Sequence, residues 1–185
     1  MKRCGLYFGS FNPFHIGHLA IANYLVSFTD LDMVRMILSP RNPLKVPVQV
    51  HEYVLQERLE HIRRVLAGRL PDIEVSDVEF HLPQPLYTIN TLRHLEKKEP
   101  GMTFVLVIGA DNLAIIESWH EWKFLLSGYE IYVYPREGVD VQVLQHKYGH
   151  LAKEIKRLDA PLINVSSTFV REGLAAGKNM NGFLV

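Results

Sequence analysis

Two short strings in this 185-residue chain combine residue types that could do chemistry together. The first is Gly9-Ser10-Phe11-Asn12-Pro13-Phe14-His15-Ile16-Gly17-His18. It follows an apolar run that reads as a strand and opens a stretch that reads as a helix. At such a junction free backbone N–H groups and the helix dipole favour an anion. Gly9 permits close backbone approach, and Asn12-Pro13 marks a turn. His15 and His18, three apart on one helical face, can both reach whatever lies above the strand end. A phosphate is the natural ligand of that arrangement. The string is neither GxGxxG nor a Walker-type loop. Two other readings use the same residues. One is a buried helix with satisfied core histidines. The other is a zinc site, although the helical zinc pair is spaced i, i+4 around a glutamate and needs a third ligand.

The second string is Val165-Ser166-Ser167-Thr168-Phe169-Val170-Arg171. A capping box would put Glu or Gln three residues after the hydroxyl. Here Ser166, Ser167 and Thr168 are followed at that spacing by Phe169, Val170 and Arg171, so a cation stands where an acid is usual. Arginine in a first helical turn opposes the dipole unless an anion there is shared by Arg171, the hydroxyls and the free N–H groups. The alternative is an ordinary Ser/Thr cap beside a solvated arginine.

These residues need a scaffold, and the chain supplies one. At roughly 150 residues per domain, its length predicts a single domain spanning 1–185. A hydrophobic fraction of 48% and a charged fraction of 22% are those of an ordinary globular protein. Twenty Lys and Arg offset twenty Asp and Glu, and no basic run exceeds a pair. That argues against nucleic acid or a polybasic membrane contact as partner, so any anionic ligand must be held locally. The single cysteine, Cys4, excludes an internal disulfide and fits a cytoplasmic location. The apolar start breaks at Gly9-Ser10, well short of a signal-peptide core, and the run from Met102 to Ala110 is about half of what a membrane span needs.

Short apolar runs predict strands at Gly5 to Phe8, Met33 to Leu38, Ile73 to Val78, Thr103 to Ile108, Ile131 to Tyr134 and Leu162 to Val165. The clearest helix runs from His51 to Ala67, with Leu55, Leu59, Ile62 and Leu66 on one face and Gly68 ending it. Others run from Thr88 to about Lys98 and from near Ser167 to Gly177. Strand and helix alternate, which predicts an α/β chain with a Rossmann-like, doubly wound, mostly parallel sheet and helices on both faces. Ligands of such sheets bind beyond the carboxyl ends of the strands. The segments to search are therefore 9–18, 39–48, 109–122 and 166–171.

HxGH after strand one and SSTxxR opening a late helix resemble the nucleotidyltransferase superfamily. Four further segments narrow the resemblance to the nicotinate mononucleotide adenylyltransferases of bacterial NAD synthesis, over nearly the whole chain. They are Asn42-Pro43-Leu44-Lys45, Pro85-Leu86-Tyr87-Thr88 with Thr91-Leu92, Gly109-Ala110-Asp111-Asn112, and Trp119-His120-Glu121-Trp122. Two departures stand out. Family members commonly carry Pro-Pro-His-Lys where this chain has Pro43-Leu44-Lys45, and they usually continue into one more helix after the position of Phe183-Leu184-Val185.

The resemblance implies transfer of the adenylyl group of ATP to nicotinate mononucleotide, with magnesium carried mainly by the substrate phosphates and no metal held by the protein. It implies catalytic roles for His15, His18, Lys45 and Arg171. Gly9, Ser10, Phe11, Gly109, Asp111, Ser166, Ser167 and Thr168 would join the two histidines and Arg171 in binding ATP. Lys45, Thr88, Asp111, Trp119 and His120 would bind the mononucleotide, with Asp111 accepting from ribose hydroxyls and Trp119 stacking on the pyridine. Taken singly, Asp111 could cap a helix and Trp119 could be core. Cys4 and the remaining histidines read as packing or surface. Phosphopantetheine adenylyltransferase shares both superfamily motifs and is the runner-up. A class I aminoacyl-tRNA synthetase would need a longer chain and a lysine loop in place of Ser166-Ser167-Thr168, and a nucleotide sensor would bind ATP without releasing pyrophosphate.

Overall fold

A computed structural model describes residues 1–40 and 51–185. The near-continuous apolar run after Lys2 forms β1 (Lys2–Gly9), followed by α1 (Ile16–Phe28), β2 (Met33–Leu38), α2 (Glu52–Leu66) and β3 (Ile73–Ser76). A 3-10 turn (Val78–His81) leads to α3 (Thr88–Lys98) and β4 (Met102–Gly109). Then come α4 (Ala110–Ala114), a 3-10 turn (Ile116–Ser118), α5 (Trp122–Gly128), β5 (Glu130–Tyr134), α6 (Val141–Tyr148), β6 (Glu154–Arg157) and α7 (Ser167–Ala175). Every strand pairing is parallel, in the order β3-β2-β1-β4-β5-β6. Strand order therefore reverses between β1 and β4, and the carboxyl ends of these two strands are where such a topology forms its ligand crevice.

Five strands form where the apolar runs lie, with ends shifted by a few residues. The sixth does not. Leu162 to Val165 has no regular structure, and the edge strand is Glu154–Arg157 instead. An edge strand is covered on fewer sides, so Glu154, Lys156 and Arg157 can occupy it with only Ile155 as its apolar residue, and its charges hide it from an apolar-run reading. The third strand likewise stops at Ser76, because Val78 turns into the 3-10 segment.

Two apolar layers sandwich the sheet. Ile21 and Leu25 of α1 and Leu59 and Ile62 of α2 pack with Val34, Met36, Val105 and Val107 on one face. Ile89, Leu92 and Leu95 of α3 pack with Leu6, Phe104 and Leu106 on the other, together with Leu125, Leu126 and Tyr148. Arg35, buried in β2, is satisfied by Glu74 and by both carboxylate oxygens of Glu99 at 2.7 and 3.1 Å. Cys4 is fully buried, and desolvation pushes its thiol up to about 12, which leaves it a packing residue. Among the described residues, no helix is long and apolar enough to cross a membrane.

Leu106 is fully buried in β4, at the centre of the sheet. We expect Leu106→Ala to lower unfolding free energy by about 2–5 kcal/mol through lost burial and a cavity. Phe28→Ala, at a side chain 73% exposed, should change it by no more than about 0.5 kcal/mol. Urea denaturation of both variants checks the contrast.

Candidate active site

The first string leaves β1 at Gly9 and enters α1. His15 is the N-cap residue, with extended backbone (φ −144°, ψ 166°), so it stands before the helix and not on its face as the spacing predicted. Its Nδ1 accepts the Gly17 N–H at 3.1 Å, and the Nδ1 of His18 accepts the His15 N–H at 3.3 Å. This is the reciprocal logic of a capping box, with imidazoles in place of the hydroxyl and the carboxylate. The rings stack with centroids 3.6 Å apart. A ring nitrogen that accepts cannot carry the proton, so each neutral imidazole holds its hydrogen on Nε2. The Nε2 of His15 is buried with no hydrogen-bond partner among the described residues.

The walls explain the ionisation. Phe14 stacks on His18 at 5.8 Å and Phe11 meets it edge-on at 5.0 Å. Desolvation, then the neighbouring His15 and Arg136, holds His18 down to about 2; desolvation and Arg136 hold His15 down to about 4. Both are therefore neutral donors at physiological pH in the ligand-free protein. The glycines fit the same packing. A Cβ on Gly9 would lie 2.8 Å from the Phe11 ring, and one on Gly17 would lie 3.0 Å from both the His15 ring and the Val165 carbonyl.

The second string is bonded directly to the first. Ser166 caps α7 by accepting the Phe169 N–H at 3.1 Å. Ser167 Oγ donates to the Pro13 carbonyl at 3.2 Å, and Arg171 donates to the Asn12 carbonyl at 2.6 Å and to Thr168 Oγ1 at 3.0 Å. Arg171 is the fifth residue of α7, beyond the first turn in which the sequence reading put it. Helical side chains lean toward the N-terminus, which carries its guanidinium back to the turn, so the argument from an opposed dipole does not apply in its simple form. Phe183 accepts the Ile16 N–H at 3.0 Å, and Leu184 forms an antiparallel bridge with His15.

Across the crevice, Gly109 closes β4 and serves as the N-cap of α4. Asp111 sits in the first turn with its side chain 56% exposed; no side-chain cap holds that helix, so the capping alternative for Asp111 finds no bond here. Its Oδ1 lies 3.6 Å from the Nε of Arg136. The guanidinium of Arg136 rests 4.8 Å from the Tyr134 ring centroid and donates to the Tyr134 hydroxyl at 3.3 Å, while its Nε is buried without a hydrogen-bond partner. Sequence reasoning missed Arg136. The signal was available, since Arg136 is the first charged residue after β5 and the rule of searching beyond each strand end applies there too. Arg58 of α2 was also missed; it donates to the carbonyl of the exposed Ser10 at 2.9 Å and so fixes the turn.

Trp119, His120 and Thr88 form a separate group. Trp119 is partly buried against the α3-side core, as is Tyr87, and the His120 ring stacks on Tyr87 at 4.1 Å. Tyr87 is the N-cap of α3 and makes no side-chain cap, so the helix that begins at Thr88 starts with open N–H groups. Lys45, with Asn42, Pro43 and Leu44, lies outside the described residues.

In the ligand-free protein we expect both imidazoles to keep the Nε2–H tautomer, unprotonated down to about pH 5. Nitrogen-correlated NMR checks this, and a midpoint near the ordinary histidine value for either ring would contradict the capping geometry. The sign for stability follows. Folded-state values below the unfolded one mean that the unfolded chain binds more protons, so this contribution is complete above about pH 6.5 and declines as pH falls toward the folded values.

The profile of the family described as cytidylyltransferase-like matches residues 6–173. A relative from Flavobacterium psychrophilum, named "Probable nicotinate-nucleotide adenylyltransferase", is 42% identical over 98% of this chain and 91% of its own length. One of the same name from Bacteroides fragilis is 42% identical over 98% of this chain and 87% of its own. Among solved structures, Plasmodium falciparum nicotinic acid mononucleotide adenylyltransferase, in complex with NaAD, superposes with a TM-score of 0.79 at 18% identity, covering 98% of this chain and 88% of that one. At that identity the structural likeness speaks for the fold, and the curated relatives speak for the family. The chain belongs to the cytidylyltransferase-like family and, within it, to the nicotinate-nucleotide adenylyltransferases.

Proposed function

We propose that this chain joins ATP to nicotinate mononucleotide through the His15–His18 cap, releasing pyrophosphate and forming nicotinate adenine dinucleotide. The single observation that carries the assignment of the phosphate site is the buried, partnerless Nε2 of His15 at the opening of α1, beside the bonded Asn12–Arg171 pair. A buried donor without an acceptor costs about 1–3 kcal/mol, a cost that a phosphate oxygen would remove.

The chemistry needs alignment more than acid–base help. A 5′-phosphate oxygen of the mononucleotide forms a bond to the α-phosphorus of ATP, and the bond from that phosphorus to the bridging oxygen breaks with its electrons leaving on pyrophosphate. A phosphate monoester has a second pKa near ~6, so the nucleophile is already largely ionised at neutral pH, and positioning two anions is the main task. His18 would donate from Nε2 to the α-phosphate as charge develops. His15, Ser167, Arg171 and the N–H groups near Gly9 and Ser10 would hold the other phosphates, with Lys45 from the segment beyond the described residues. Arg136, desolvated at the same crevice, adds a cation on the Asp111 side, where Asp111 would accept from ribose hydroxyls.

Among the described residues no group of three or more His, Cys, Asp or Glu could hold a metal ion. We assign magnesium as the divalent cation, carried by ATP and bound through phosphate and water oxygens. The pyridine would stack on Trp119, with its carboxylate facing the open N–H groups at Thr88 and the backbone at His120. The whole chain, read as a single domain of the cytoplasm, would act on these small molecules without nucleic acid or membrane.

Pyrophosphate release, measured with ATP, magnesium and one acceptor at a time, tests this reading. We expect turnover with nicotinate mononucleotide, a kcat/KM roughly 5- to 150-fold lower for the amide, whose NH2 group would face a donor, and none with phosphopantetheine. His18→Ala should lower kcat by about 100-fold with little change in the KM for ATP, the mark of a contact made mainly in the transition state. A variant keeping more than about a third of wild-type kcat would remove His18 from the mechanism.

A further inference from the structure

Glu121 lies within the Trp119–Trp122 segment but has no role in the chemistry above, and its backbone is unusual. It adopts the left-handed conformation (φ 51°, ψ 37°), which L-residues with a Cβ disfavour, yet it is glutamate and not glycine or asparagine. Such an outlier persists only where surrounding contacts hold it. Here the holder is visible. Arg93, on α3, grips Glu121 with two parallel hydrogen bonds, Nη1 to Oε1 at 2.9 Å and Nη2 to Oε2 at 2.7 Å. Its guanidinium also lies 5.8 Å from the Phe124 ring centroid. Two residues before Glu121 is Trp119; one residue before it, His120 stacks on Tyr87, the residue that opens α3. The backbone continues the constraint, since the Glu121 carbonyl accepts the Phe124 N–H at 2.9 Å and so starts α5.

The segment carrying Trp119 is thus fastened to α3 at two points, one aromatic at Tyr87–His120 and one ionic at Arg93–Glu121. The two contacts lie six residues apart along α3, so together they fix orientation as well as distance. We propose that Arg93 and Glu121 are positioning residues that hold the Trp119 segment against the start of α3 and thereby preform the slot for the flat ring of the mononucleotide. This rests on the proposed function above for the identity of that ring. A preformed slot spares the ligand the entropy of ordering it, so the clasp acts on mononucleotide affinity and leaves ATP, bound at the His15–His18 cap, largely untouched.

The test combines kinetics with backbone hydrogen exchange. Arg93→Met and Glu121→Ala should each raise the KM for nicotinate mononucleotide about three- to tenfold, with the KM for ATP held within about twofold. Arg93→Lys, which cannot make both parallel bonds, should fall between. The decisive variant is Glu121→Gly, whose backbone suits the left-handed conformation. We expect it to lose as much mononucleotide affinity as Glu121→Ala, and wild-type KM in Glu121→Gly would reduce Glu121 to a backbone requirement and overturn the clasp. A parallel rise in KM for both substrates would also overturn it. In the ligand-free protein, amides from Trp119 to Phe124 should exchange faster in Arg93→Met than in wild type, whichever acceptor the enzyme uses. Unchanged exchange there defeats the clasp. Absence of turnover by wild type with nicotinate mononucleotide instead defeats the proposed substrate.

Discussion

The opening of α1 must satisfy its backbone donors and, in the proposed reading, still offer donors to a ligand. Two imidazoles meet both demands because each has two nitrogens with different duties. The Nδ1 atoms accept backbone N–H groups at the helix opening; the Nε2 atoms keep their N–H for another partner, and that of His15 is buried without one among the described residues. A serine or aspartate cap satisfies the helix but presents no comparable outward N–H. Much of the surrounding structure serves this pair. Gly17 makes room for the His15 ring, Phe11 and Phe14 wall His18, and α7 is bonded back to Asn12 and Pro13 so that the turn cannot drift.

The electrostatics are arranged by the same economy. The chain carries no net charge, and its capping histidines are held neutral by desolvation and by Arg136. Fixed positive charge comes from arginines resting on other groups, Arg136 on the Tyr134 ring and Arg171 on the Asn12 carbonyl. In the proposed reading, neutral donors with a few anchored cations suit a site that takes up one highly charged anion and later releases another.

Much of this was legible in the residues. The apolar runs of β1, β2, β4 and β5, and the spacing of Leu55, Leu59, Ile62 and Leu66, are patterns of burial, and burial is what periodicity reports. HxGH and SSTxxR marked two segments that the fold bonds together, through Ser167 to the Pro13 carbonyl and Arg171 to the Asn12 carbonyl. Other features are set by contacts between distant segments and leave little local trace. The bond from Arg171 to Asn12 spans most of the chain, the duty of His15 as a cap depends on a ring orientation, and the left-handed backbone of Glu121 is sustained by Arg93 on another helix. The edge strand Glu154–Arg157 was missed because charged residues are tolerated where a sheet meets water, and the apolar Leu162-Ile163 pair nearby offered a more conventional signal.

The pairing of Phe183 and Leu184 with the residues around His15 makes the stretch after α7 a neighbour of the capping imidazoles, unlike the stretch before β1. Met1 leads into β1 at the amino edge of the sheet, the side opposite the strand ends that bear the crevice. Val185 follows directly on the residue that bridges to His15. Bulk or charge introduced at Lys2 would act a whole strand length away from Gly9 and the turn that follows it. Bulk or charge introduced at Leu184 would act beside the capping imidazoles and alter the local environment of both histidines.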